Sequence, residues 1–262
     1  MTFGLALSGI GPGWNAVPYN FRMDRTNLEP RIEISWAACP RWATSGSSDL
    51  IDTVEQLGHE WAIVMIDVQG SGLGGRRLAG TLMRMTRECL AAGMAPSTSV
   101  LAVHQHLFTL RQAKVGASIH VCVVDAMARR ASISGLGPLS IAFSRGRSWD
   151  VDCFVAPGAG FERDVAVESR PWEFAPNQRL VLANDGIARQ NDDLASLLSS
   201  PGATDNQYLN ARQILEHAIR RDSGRPRSDM AIALIAYEDA APDGRILHAH
   251  MSIPVKFVRR DS

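Results

Sequence analysis

Three aspartates stand at the ends of apolar runs: Asp67 closes WAIVMID, Asp185 follows QRLVLAN with Gly186 behind it, and Asp229 opens SDMAIALIAY. A carboxylate at a strand end, beside exposed backbone carbonyls, offers the hard oxygen ligands that suit Mg²⁺ or Mn²⁺. Behind Asp67 the chain breaks into glycine, and Gly70, Gly72 and Gly75 satisfy G-x-G-x-x-G between a strand and a helix, the pattern of a dinucleotide cradle. The two chemistries compete for one turn. The nucleotide reading requires a second parallel strand ending in an acid about 20 residues on, and that place, near Glu88, falls inside a long helix. It also sets a pyrophosphate beside the uncompensated charge of Asp67. Taken singly, each aspartate is also a common turn or cap residue; their joint arrangement favours the cation.

The elements that must hold these acids are readable from periodicity. RIEISWAAC (31–39) alternates as a strand, followed by a turn-rich piece, PRWATSGSSD, and then by WAIVMID as a buried strand. From Leu73 to Ala92, Leu78, Leu82, Met85, Cys89 and Leu90 recur at helical spacing until Gly93 and Pro96 stop the run. Ser97 or Ser99 is expected to cap a second helix running towards Lys114. ASIHVCVVDA, RRASISGLG and PLSIAFSRG read as a strand meander; DVDCFVAP and QRLVLANDG follow as strands, with helical pieces near 192–199 and 204–221. SDMAIALIAYED and RILHAHMSIPVKFV return to strand. This order lacks the strict alternation of a parallel α/β sheet and predicts antiparallel sheets with helices packed outside them. Residues 1–30 read as an irregular extension, and 31–262 as a single domain.

The totals bound the partners. With 27 Lys+Arg against 27 Asp+Glu the formal charge is zero, so no global field draws the chain to nucleic acid or anionic lipid. Cys39, Cys89, Cys122 and Cys153 form no C-x-x-C pair and read as reduced core residues. The opening apolar patch has no basic residue before it, and no stretch approaches the ~18 apolar residues of a membrane span. A cytoplasmic protein is expected.

IDVQGSG (66–72), ANDGI (183–187) and SDMAIALI (228–235), in that order, resemble the SpoIIE-like branch of the bacterial PPM metal-dependent serine/threonine protein phosphatases. The resemblance covers roughly residues 31–240 and includes KVGASIHVCVVDAMARRASISGLGP and the W-x-F-x-P-x-Q-R-L-V-L lead-in. It implies an αββα sandwich, two antiparallel sheets flanked by helices, with two Mn²⁺ or Mg²⁺ ions held between the sheets. Asp67 would bridge both ions, the Val68 carbonyl would add a ligand and Asp185 would hold one ion; Asp67 and Asp185 are then the residues on which activity turns, and Asp229 a further candidate ligand. The substrate it implies is phosphoserine or phosphothreonine on a protein, such as an anti-sigma-factor antagonist.

Two departures bear on activity. Family members usually carry S-G-D before the metal strand, where this chain has Ser45-Gly46-Ser47, and the last motif is commonly D-D-x-T, where it has Ser228-Asp229-Met230-Ala231. Asp49, two residues past Ser47, lies about 6–7 Å along an extended chain, too far to take the same place without remodelling. A catalytically weakened binding module is therefore the alternative to an active phosphatase, and a dinucleotide-binding protein the more distant one. His104 and His106 read as surface or boundary residues, and His248 and His250 as structural. Arg76 and Arg77 stand where a phosphorylated substrate can meet them, although solvated helix-face arginines are commoner.

Overall fold

The computed structural model describes residues 31–44, 46–56, 60–70, 72–112, 114–146, 148–175, 177–188, 191–199 and 210–238. In chain order the elements are β1 (Arg31–Cys39), β2 (Asp49–Glu55), β3 (Glu60–Val68), α1 (Gly72–Ala91), α2 (Pro96–Arg111), β4 (Ala117–Asp125), β5 (Arg130–Leu136) and β6 (Pro138–Arg145). They continue with β7 (Ser148–Val155), β8 (Glu168–Glu173), β9 (Arg179–Ala183), α3 (Asn191–Leu198), α4 (Ala211–Arg221) and β10 (Met230–Glu238). Two five-stranded sheets form, ordered β1-β10-β9-β6-β7 and β2-β3-β4-β5-β8. Every strand pairing within them is antiparallel.

Strands buried on both faces explain the continuous apolar runs. In β3, Ala62, Val64, Ile66 and Val68 pack with Leu78, Leu82, Val100 and Leu107 of α1 and α2. The intervening Ile63 and Met65, with Cys122 of the neighbouring β4, face Leu180, Leu182, Ala233 and Ile235 of the other sheet. On the far side, Ile232 and Leu234 of β10 meet Leu194, Leu198, Ile214 and Leu215 of α3 and α4. The layers are thus helix pair, sheet, sheet, helix pair, the expected αββα sandwich. Truncating one fully buried residue of the middle layer, such as Ile63, costs about 2–5 kcal/mol on the scale of core deletions.

The local expectations hold with three corrections. The second helix has Ala95 as its N-cap without a side-chain bond, and Pro96 fills the first turn, where a missing N–H costs nothing. Ser99 lies within the helix and donates back to the Ala95 carbonyl at 3.1 Å. Two strands, β2 and β8, fall where no strand was expected. Both are sheet edges, and β8 carries Pro171, tolerated there because one side of an edge strand needs no N–H. His104 is fully buried, contrary to the surface reading: its Nδ1 accepts from the Gly160 amide at 3.1 Å, and Nε2 lies 3.3 Å from the Arg163 carbonyl. His248, His250 and the strand expected over 245–258 lie outside the described residues, as do residues 1–30. Among the described residues no helix is long and apolar enough to cross a membrane.

The dinucleotide reading fails on topology. The strand after the glycine turn, β4, runs antiparallel to β3, so among the described residues no parallel βαβ unit follows that turn to carry a nucleotide. Gly70 and Gly72 are required by backbone geometry, with φ of 128° and 82°. A Cβ at either would meet nothing within 4 Å.

Inside the sandwich, His120 packs edge-on to Phe154 at 5.6 Å, and its Nε2 donates to the Gly137 carbonyl at 3.1 Å. Burial pushes its pKa down from 6.5 to about 4. Between those values the unfolded chain binds a proton that the folded chain does not. This contribution is present above about pH 6.5 and is lost as pH falls to about 4, by up to roughly 3 kcal/mol. Comparing urea midpoints of wild type and His120→Leu at pH 7 and pH 4.5 checks it: the wild type should lose more stability on acidification, and parallel losses would refute the assignment.

Candidate active site

The site grows from a register. β2 pairs with β3 so that Asp49 stands opposite Asp67, and β3 pairs with β4 so that Asp67 stands opposite Ser118. Asp67 continues the face of Ile63 and Met65, and Asp49 that of Ile51, which is the face turned towards the other sheet. The two carboxylates therefore emerge together where the inter-sheet core ends. Asp49 is 3% exposed, and the two carboxyls lie within hydrogen-bonding reach of each other. Burial, the Asp67 charge and the more distant Asp229 and Asp185 push the Asp49 carboxyl far above the usual carboxylate range. Asp67 is raised as well, by burial and by Asp185 and Asp229, partly offset by its bond from Asp49.

The opposite sheet supplies the other half. At the end of β9, Asn184 is 5% exposed and each end of its amide is used: Nδ2 donates to Asp49 at 2.5 Å and to the Asp229 carbonyl at 3.1 Å, while Oδ1 accepts from the Ala231 amide at 2.9 Å. The chain then turns, with the Ile187 and Ala188 amides both donating to the Asn184 carbonyl, and leaves Asp185 exposed at the turn. A Cβ on Gly186 would lie 1.9 Å from the Asp229 carbonyl oxygen. Glycine is required at residue 186 because the start of β10 passes directly over it.

Asp229, the further candidate ligand, also braces the loop before β2. Its Oδ1 accepts from the Arg41 amide at 2.6 Å, and its Oδ2 from the Ser48 amide at 2.7 Å and the Ser48 hydroxyl at 3.1 Å. Three of about four acceptor sites are thereby spent on the loop that leads into β2. Ser47 also serves this loop, its hydroxyl accepting from the Asp49 amide at 3.0 Å.

One open pocket of about 460 Å³ is lined by Asp49, Asp67, Val68, Asp185, Ser228 and Asp229 together. All the residues expected from the sequence are there. Asp49 is the one that reading had set aside, because a distance along the chain says nothing about a register across it.

The donor set fits a hard cation in kind. It is all oxygen, and its carboxylates raise one another's affinity for protons, a repulsion that positive charge relieves. Among the described residues, no three His, Cys, Asp or Glu side chains are gathered closely enough to enclose an ion as they stand.

Two facing antiparallel sheets, a helix pair outside each and an acidic cluster at one open end are the architecture of the PPM phosphatases. The Stage II sporulation protein E (SpoIIE) family matches residues 58–238, more than half of the chain, and the chain belongs to that family. Comparison with curated proteins finds no match. Among solved structures, it is similar to the PP2C phosphatase domain with a fragment of the regulatory domain of SpoIIE from Bacillus subtilis. That similarity is at 16% identity and a TM-score of 0.69, over 80% of this chain and 64% of that one. The RsbU and RsbW domains of a Mycobacterium tuberculosis protein match at 17% identity and a TM-score of 0.67, over 82% of this chain and 62% of that one. RsbX in complex with magnesium matches at 12% identity and a TM-score of 0.61, over 79% and 96%. The chain therefore spans less than two thirds of the SpoIIE and RsbU–RsbW structures.

The Asn184 bridge gives a testable consequence. Asn184→Leu leaves the Ala231 amide unpaired and strips Asp49 of its donor, which should cost about 1–3 kcal/mol for each buried group left unsatisfied. Gly186→Ala should destabilise by at least as much, since backbone must move. Thermal or urea unfolding of both variants measures this, and wild-type stability in either would break the proposed coupling between β9 and β10.

Proposed function

We propose that the chain is a metal-dependent protein serine/threonine phosphatase whose Asp49, Asp67 and Asp185, with the Val68 carbonyl, hold Mn²⁺ or Mg²⁺, two ions by family resemblance. The single observation that carries this reading is the pairing of Asp49 with Asp67 at the mouth of the sandwich, on the floor of a pocket that Asp185 also lines. When bound, such ions supply an activated water at neutral pH and neutralise charge on phosphoryl oxygens. The protein's own part is positional. Asn184 holds Asp49, Asp229 holds the loop before β2, and the glycine turn after Val68 keeps the pocket open.

The substrate class, a phosphorylated protein such as an anti-sigma-factor antagonist, is supported by the resemblance to SpoIIE-like phosphatases and by the structural likeness to a protein with RsbU and RsbW domains. The four free cysteines suit a reducing compartment, in keeping with a cytoplasmic enzyme. A second reading, a weakened relative that binds a phosphoprotein without hydrolysing it, is favoured by the neutral Ser228 and by an Asp229 already committed to backbone amides.

Hydrolysis of p-nitrophenyl phosphate with and without Mn²⁺ separates the readings. The active enzyme should require the metal, and Asp49→Ala, Asp67→Ala and Asp185→Ala should each lower kcat/KM by at least about 100-fold, the upper scale of even outer-shell changes at metal sites. Calorimetric Mn²⁺ binding without turnover supports the binding module; neither binding nor turnover sinks both.

A further inference from the structure

The pocket's sign reverses between floor and rim. The acids occupy the floor, while the two loops that border it, residues 40–48 and 223–228, contain three arginines and no acid. Arg41 and Arg227 line the pocket. Arg225 lies over the Trp42 ring at 5.6 Å, and the Trp42 amide donates to the Pro226 carbonyl at 2.9 Å, so the loops are stitched together. A fourth arginine, Arg76 from the first turns of α1, packs its guanidinium against Gly46, where a Cβ would come within 2.7 Å of Nη1. Among the described residues no carboxylate pairs with the guanidinium of Arg41, Arg76, Arg225 or Arg227. This contrasts with Arg87, Arg145, Arg170 and Arg212, each ion-paired elsewhere on the surface.

The rim is also held in place before any partner arrives. Asp229 clamps the Arg41 and Ser48 amides, and the Arg227 amide donates to Asp222 at 3.2 Å. Trp42 and Phe161 stand partly open beside the pocket, 40% and 38% exposed, and offer apolar faces to a peptide backbone. Four available guanidinium groups around an acidic well exceed what a single phosphate can engage. Their forked donors match carboxylates bidentately.

We propose that this rim reads acidic side chains flanking the phosphorylated residue, so that the substrate is a phosphoserine or phosphothreonine set in an acidic segment. The inference rests on the phosphatase or phosphoprotein-binding reading of the floor. It adds that Arg41, Arg225 and Arg227 determine specificity through the flanks and not through the phosphate. A substrate with basic flanks would meet like charge over distances shorter than the screening length of about 8 Å at physiological salt.

Fluorescence anisotropy with labelled phosphoserine peptides tests this whether or not turnover occurs. One peptide carries glutamates on both sides, its pair carries glutamines, and both are titrated against the Mn²⁺-loaded protein at two salt concentrations. The acidic peptide should bind at least about 10-fold tighter at low salt, with the gap narrowing at high salt. The gap should close in Arg41→Gln/Arg225→Gln/Arg227→Gln and be largely kept in the triple lysine variant, with circular dichroism confirming that both fold. Equal binding of the two peptides overturns the proposal. So does a gap that survives the glutamine variant, an equal loss of both peptides in it, or an oligonucleotide of matched charge binding as tightly as the acidic peptide. Turnover of p-nitrophenyl phosphate, measured in parallel, reports separately on the floor.

Discussion

Two carboxylates held side by side at the edge of an apolar core are the constraint around which this end of the molecule is built. At a cross-strand separation of about 5 Å and an effective dielectric near 20, two ionised groups repel by roughly 3 kcal/mol, comparable to the gain from fully burying one large aliphatic side chain. The fold offsets part of that cost with a buried amide donor from Asn184. Nothing local in β2 or β3 asks for this arrangement. It exists because antiparallel pairing sets Asp49 opposite Asp67, and because the alternation that sends Ile51, Ile63 and Met65 inward sends these acids the same way.

The opposing sheet holds the pair in place. Asn184 links the ends of β9, β2 and β10, and Gly186 lets the start of β10 pass over the turn that presents Asp185. Asp229, acidic and lining the pocket, works on backbone amides. The two sheets thus meet through a polar cluster at this end and through apolar packing in the core, with the Arg170–Asp152 ion pair linking β8 to β7 at the edges; the polar cluster is also where chemistry has room. His104 plays a comparable part at the flank, fixing through Gly160 and Arg163 a loop whose Phe161 borders the pocket.

The likeness to SpoIIE and RsbX structures at 12–16% identity shows how little of the sequence the fold needs. A distribution of apolar residues over four layers is a demand that many sequences satisfy. The floor is less tolerant, since each acid there must be tethered or relieved. Two neutral side chains stand on the loops that border it: Ser47 supports the Asp49 amide, and Ser228 lines the pocket beside the committed Asp229.

Sequence alone determined most of the architecture. Continuous apolar runs such as WAIVMI and MAIALIAY require two apolar environments, and the 3.6-residue recurrence after Leu73 requires a helix with one buried face; each is a local property that no distant contact reverses. It also marked Asp67, Asp185 and Asp229, because an acid closing an apolar run is visible along the chain. Tertiary structure alone decided that β2 is a strand, since its polar residues at 49, 52 and 55 become extended only by pairing with β3. It alone gave Asp49 to the site, turned Asp229 towards the amides of Arg41 and Ser48, and gathered arginines from loops nearly two hundred residues apart onto one rim. Register and inter-sheet packing place residues that are remote along the chain within a few ångströms of one another, and spacing along a sequence carries no record of that distance.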